Sequence, residues 1–214
     1  MQIDFVSDIA CPWCAVGLNS LERALERLEP DIPVTLHFQP FELNPALGPE
    51  GEDTVEHLSA KYGIDAAQIA RNQAAIRERG AQVGFRFGAR GRIWNTFDAH
   101  RLLHWAGAEG PPGAQRALKH ALLQAYHGEG RNPGDRAVLL EAAQAAGLDA
   151  AGAAAVLEGD GYAREVRAAQ ARWQQAGIRS VPSVVIDERH LVQGGQPPEV
   201  FEQALRQIAA AATS

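Results

Sequence analysis

Cysteine is nearly absent from this chain of 214 residues: there are two, Cys11 and Cys14. A disulfide framework needs half-cystines spread along the chain, so this adjacent pair does not staple the fold. Staples are not required either, because a domain of this size buries about 70% of the surface that its unfolded chain exposes. Long apolar runs are missing too, and none approaches the ~20 residues that a membrane-crossing helix needs. The opening MQIDFVSDIA has no basic leader and no extended apolar stretch, which gives the expectation of a soluble, cytoplasmic protein without a membrane partner. Positive charge is in deficit, with 20 Lys and Arg against 26 Asp and Glu and a net charge of -6. Nucleic-acid binders draw affinity from phosphate neutralisation and carry a basic excess, so that class is excluded.

What is present reads as alternating blocks. Ile3 to Ile9 mixes β-branched and aromatic residues over a strand's length, and Leu18, Leu21, Leu25 and Leu28 then recur at helical spacing. Pro12 suits the first helical position, where its missing N–H costs nothing, so Cys11 falls near the N-cap. Pro30 and Pro33 stop that helix. Val34, Leu36 and Phe38 alternate with Thr35, His37 and Gln39 as in a half-buried strand ending at Pro40. A helical connection of this kind favours a parallel pair with a right-handed crossover.

From about Asp53 to Gly177 the composition shifts to Ala, Leu, Arg, Glu and Gln. The periodicity predicts helices over 54–62, 66–82, 96–107, 114–127, 135–146, 149–158 and 162–176. The tail returns to strands, Ser183 to Asp187 and Leu191 to Gln193, around a turn at Glu188-Arg189. Pro197-Pro198 then opens a last helix with Val200, Phe201, Ala204, Leu205 and Ile208 on one face. The order is βαβ, helices, ββα, an α/β class.

The cysteine pair carries the chemistry. A thiolate is the nucleophile, and the unpaired N–H groups and dipole of a helix N-terminus lower a thiol's pKa. Cys11 sits where that effect is largest, with its sulfur expected to be exposed. Cys14, one turn further in, can resolve a mixed disulfide formed on Cys11. Zinc is the competing reading, since C-x-x-C is half a tetrahedral set and His100 and His104 stand at i, i+4; without a second C-x-x-C the redox reading is preferred, with no metal. Trp13 inside the motif offers apolar contact to a substrate.

These residues resemble the DsbA family of thioredoxin-fold proteins, in particular its FrnE-like cytosolic branch. The likeness rests on Ser7-Asp8, Cys11-Pro12-Trp13-Cys14, Phe41-Glu42-Leu43-Asn44-Pro45, Asn95 to Leu102, Val181-Pro182-Ser183 and Gln196 to Phe201. It implies a thioredoxin-like domain, 1–52 with 178–214, split between its second and third strands by a large all-helical insertion, 53–177. It also implies dithiol/disulfide exchange through Cys11 and Cys14, substrate contacts from Pro12, Trp13, Val181 and Pro182, and a cis Pro182 facing the disulfide. The redox-active disulfide stands in place of a bound cofactor, and the partners are protein disulfides or glutathione as co-substrate. The alternative is a glutathione-dependent isomerase or transferase of the kappa-like, 2-hydroxychromene-2-carboxylate isomerase type; those relatives usually carry Ser at the reactive position, whereas this chain keeps both thiols. Thioredoxin-like proteins often place a carboxylate beneath the disulfide as a proton relay, and Asp4, Asp8 and Glu42 are candidates that strand alternation does not separate. Phe97, His100, Arg101 and His104 cluster on one helix side and are candidate cleft residues if the insertion covers the disulfide. Arg86, Arg90 and Arg92, interleaved with Phe85 and Phe87, could hold an anionic thiol peptide, although the plainer reading is a solvated surface.

Overall fold

A computed structural model of the chain describes residues 1–212. Four strands form the main sheet: β1 (Gln2–Ser7), β2 (Thr35–Pro40), β5 (Ser183–Ile186) and β6 (His190–Gln193), in the order β2-β1-β5-β6. β1 runs parallel to β2, with Phe5 opposite Phe38 and Ser7 opposite Pro40, and antiparallel to β5, with Phe5 opposite Val184. The sheet thus joins the two ends of the sequence. Between β1 and β2 lies α1 (Pro12–Leu28), which packs against α9 (Pro198–Ala212). Leu18, Leu21 and Leu28 of α1, Phe201 and Leu205 of α9, and Ile3 and Phe5 of β1 are at most 1% exposed. Burying side chains of this size gives about 1.5–3 kcal/mol each, which fixes α1 and its N-terminus against the sheet.

Between β2 and β5 come α2 (Thr54–Tyr62), α3 (Ala66–Gln82), α4 (Phe97–Glu109), α5 (Ala114–Leu123), α6 (Arg136–Ala145), α7 (Ala150–Glu158) and α8 (Ala163–Gln175). The predicted helices are all there, and Asp53, Asp65, Asp135 and Asp149 cap four of them with their carboxylates. α4, α5 and α8 pack on the β2 side of the sheet. This is the α/β, thioredoxin-like arrangement with its helical segment inserted between the second and third sheet strands. The last two residues of the 178–214 range, 213 and 214, lie outside the described residues.

Differences from the sequence reading have local causes. A two-residue antiparallel pair, β3 (Glu52–Asp53) with β4 (Arg92–Ile93), interrupts the otherwise helical insertion; segments this short carry no readable alternation. β1 stops at Ser7 rather than Ile9 because the Asp8 carboxylate accepts the Ala10 N–H at 3.1 Å and its carbonyl accepts the Cys11 N–H at 3.3 Å, turning the chain into α1. The helix expected over 114–127 is α-helical only to Leu123, and a wider π turn over Gln124–Gly128 follows. That turn places Tyr126 and His127 behind the active loop, where His127 Nε2 bonds the Ile9 carbonyl at 2.8 Å. Among the described residues no helix is long and apolar enough to cross a membrane.

Candidate active site

Cys11 is the N-cap of α1 and Pro12 its first helical residue, so the Trp13 and Cys14 N–H groups of the first turn act on the sulfur. Both cysteines are free thiols. The Cys14 side chain hydrogen-bonds Cys11 and is the largest influence holding the Cys11 thiol below its ordinary pKa; the N–H groups of Cys14 and Trp13 add to it, against burial and the Asp8 charge. For Cys14 the balance reverses, and burial first, then its bond and charge relation with Cys11, pushes the thiol well above the ordinary value. The two sulfurs therefore differ: Cys11 is 5% exposed and Cys14 fully buried. The expectation of an exposed Cys11 sulfur is corrected here, because Val181 lies over it, with Sγ 3.5 Å from the Val181 carbonyl oxygen. Alkylation of the native protein, followed by mass mapping, should modify Cys11 with a pH midpoint below about 8.5 and reach Cys14 only after unfolding. A midpoint at or above that value, or earlier labelling of Cys14, would reverse the assignment.

The wall beside the thiols comes from the far end of the chain. The Val181–Pro182 peptide bond is cis, and Pro182 packs on α1 at Gly17, where a Cβ would stand 2.9 Å from Pro182 Cγ. Gly195 makes a second close approach, its would-be Cβ 3.0 Å from the Trp13 ring. These two glycines were invisible as site residues in the sequence, since nothing local marks a helix glycine as a contact to a loop some 165 residues away. Trp13 itself, two residues from Cys11, is 37% exposed.

Of the three candidate carboxylates, Asp8 lies under the dithiol. It is fully buried and accepts from the Leu43 N–H at 2.7 Å, the Ala10 N–H at 3.1 Å, the Thr96 hydroxyl at 2.7 Å and His100 Nε2 at 3.3 Å. Burial opposes its ionisation, but His100, the Leu43 N–H and the Thr96 hydroxyl together outweigh it and hold the carboxyl below its usual range. Asp4 bonds Gln2 and Gln39, and Glu42 bonds Arg167, Gln170 and Asn95. Lys119, on α5, is 1% exposed and feels the charges of Cys14, Asp8 and Cys11. The sequence reading missed it; a lysine between Arg116 and His120 reads as part of a solvated helix face.

α4 divides its four candidate residues between tasks. His100 faces inward to Asp8, and His104 is half-buried beside Tyr162, ring centroids 5.5 Å apart. Arg101, 5% exposed, donates to the Gly161, Gly159 and Val156 carbonyls and to Asp98, tying α4 to the end of α7. Phe97 lies under the Arg167 guanidinium, 3.7 Å from ring centroid to Cζ.

A groove of about 300 Å³ opens beside Pro12, lined by Arg77, Phe87, Arg90 and His127 among others. Arg90 donates to the Ala10 carbonyl at 3.1 Å and stacks over Tyr126, so it braces the active loop from the groove side. Arg92 instead clasps the Glu50 and Gly51 carbonyls, and Arg86 is exposed. A second cavity, of about 520 Å³ and lined by Glu22, Glu26, Glu29 and Arg116 among others, touches neither cysteine.

The arrangement of a strand, a Cys-x-x-Cys at a helix N-terminus and a facing cis-proline loop is matched from residue 2 to residue 206 by the family of DsbA-like thioredoxin domains. The chain belongs to that family. A probable DsbA oxidoreductase from Streptomyces coelicolor is 37% identical, over 97% of this chain and 89% of that one, with a TM-score of 0.89. The uncharacterised YwbO of Bacillus subtilis is 27% identical over 96% of each chain. The DsbA-like fold also extends to the cytosolic disulfide reductase DsbM of Pseudomonas aeruginosa, solved with glutathione, at 16% identity over 98% of this chain and all of that one and a TM-score of 0.66.

Proposed function

We propose that this DsbA-like protein is a thiol-disulfide oxidoreductase cycling between the Cys11/Cys14 dithiol and its disulfide. Cys11 attacks a protein or low-molecular-weight disulfide and Cys14 resolves the mixed disulfide. The reading places it in the FrnE-like cytosolic branch, acting in the cytoplasm with glutathione as a co-substrate and no bound cofactor. Residues 1–52 and 178–214 carry the thiols, and 53–177 shape substrate access, with Pro12, Trp13, Val181 and Pro182 forming the docking rim. The observation that carries the proposal is the asymmetry of the pair: an acid-shifted, marginally accessible Cys11 at a helix N-cap beside a buried Cys14.

The test is equilibration in glutathione redox buffers, read by thiol titration and intact mass. Both sulfurs should disappear together in a single two-electron transition with the loss of two hydrogens, and each tenfold change in the equilibrium constant corresponds to about 30 mV. A glutathione adduct on Cys11 with Cys14 free throughout would instead favour the isomerase or transferase reading.

A further inference from the structure

The proposed cycle needs a proton acceptor at Cys14, whose thiol must ionise before it can attack. Asp8 is a poor one. Its two oxygens already accept from four donors, and it is held as an anion that gains a proton only in acid. A carboxylate in that state contributes a fixed charge rather than a proton exchange near neutrality.

Lys119 has the opposite character. It is 1% exposed, and among the described residues its ammonium makes no hydrogen bond or ion pair, an arrangement that burial penalises strongly for a charged group. It lines a small cavity of about 10 Å³ with Gln39, His100 and His104; that is room for about one water. Neither cysteine lines it, and Lys119 connects it to the dithiol through its charge interactions with Cys14 and Cys11. His100 on its wall bonds the Asp8 carboxylate, the Asp8 backbone hydrogen-bonds Cys14, and His104, also on its wall, is half-buried. The groups facing this region are Asp8 from the β1–α1 turn, Cys11 and Cys14 from α1, His100 and His104 from α4, and His127 from the π turn. Burial lowers Lys119 to about 8, against the charges of Cys14, Asp8 and Cys11, which raise it. A tenth or so of such a group is neutral one pH unit below its midpoint.

We propose that Lys119, supplied by the helical insertion, accepts the proton of Cys14 during resolution and returns it to solvent through the cavity that it shares with His104. The proposal rests on the dithiol reading. In the reducing direction, Cys11 Sγ has displaced one thiolate from a substrate disulfide and is bonded to the remaining sulfur. Cys14 then passes its proton to neutral Lys119, and its thiolate attacks Cys11 Sγ. The Cys11–Cys14 bond forms, the Cys11–substrate bond breaks, and the electron pair leaves with the substrate thiolate. The substrate disulfide is reduced to two thiols, the dithiol is oxidised, and the Lys119 ammonium gives its proton up. Oxidation of a substrate dithiol runs through the same steps backwards.

A coloured aromatic disulfide, dithiobis(nitrobenzoate), separates the steps, because attack by Cys11 releases one chromophoric thiolate and resolution by Cys14 the second. In the wild type the rate of the second release should rise with pH around a midpoint near 8. Lys119→Met, which keeps the length of the side chain, should retain the first release and slow the second about tenfold or more at pH 7, with its midpoint moved up by at least one unit. Lys119→Arg keeps a positive charge that does not ionise and should be equally slow, which separates proton acceptance from a counter-charge. Wild-type rates of second release in either variant would overturn the assignment. So would a wild-type midpoint of 9 or above, a measurement that needs no variant to fold. Absence of the first release in the wild type would overturn the dithiol reading itself, whereas two releases indifferent to Lys119 would overturn only the role given to that residue.

Discussion

Cys14→Ser should accumulate mixed disulfides that the parent protein resolves, and Cys11→Ser should form none. In the parent the resolving sulfur is held one helical turn from Cys11, so its effective concentration is on the order of molar or higher, against millimolar thiol outside. Removing it should slow resolution by about a thousandfold and leave adducts that dithiothreitol releases. Turnover of a protein disulfide should be lost in both variants, for different reasons: the first stops after attack, the second before it. Neither loss is a folding artefact on the expected scale. A serine hydroxyl at the buried Cys14 position costs about 1–3 kcal/mol, within the 5–15 kcal/mol that holds an ordinary domain. Non-reducing gels and mass mapping of the adduct to Cys11 read the result. Adduct formation by Cys11→Ser would reverse the roles of the sulfurs, and an adduct-free Cys14→Ser with glutathione-dependent isomerase turnover would replace the proposed chemistry.

The fold was legible where the signal is periodic. β-Branched and aromatic content, leucine spacing and strand alternation found β1, α1 and β2 in turn, and helical periodicity outlined the helices of the insertion, whose starts the structure shows capped by Asp53, Asp65, Asp135 and Asp149. The dithiol was legible because Pro12 fixes where α1 begins, and the N-cap position follows from that. What lies beneath the dithiol was not. Asp4, Asp8 and Glu42 are all 8% exposed or less, so burial ranks them no better than alternation does. Only the tertiary partners separate them, and Thr96 and His100 come from a helix start some 90 residues downstream of Asp8. Lys119 was hidden for the related reason that a helix inserted against a sheet buries part of what its own sequence marks as a polar face. Arg101 shows the converse: its neighbours in sequence resemble a family motif, while its guanidinium serves the end of α7.

Asp8→Ala should give the largest loss of stability of any change near the thiols, and it should make Cys11 more acidic at the same time. The carboxylate is fully buried, and its removal takes the acceptor from the Leu43 and Ala10 N–H groups, the Thr96 hydroxyl and His100. Breaking a buried charged network in this way costs about 3–5 kcal/mol, or roughly 10 °C in melting temperature for a chain of this size. The pH dependence has a definite sign. Because the folded protein holds Asp8 below its ordinary value, near 3.8, the stabilisation is complete above about pH 4–5 and is lost as pH falls through the folded value. The stability gap between wild type and Asp8→Ala should therefore be widest near neutrality and narrow in acid. Cys11 responds in the other direction, since the Asp8 charge raises its pKa; without that charge its alkylation midpoint should move down. Urea unfolding at several pH values, paired with the alkylation profile, tests both arms. An unchanged stability gap between pH 7 and pH 3, or a Cys11 midpoint that moves up, would remove Asp8 from beneath the dithiol as its governing charge.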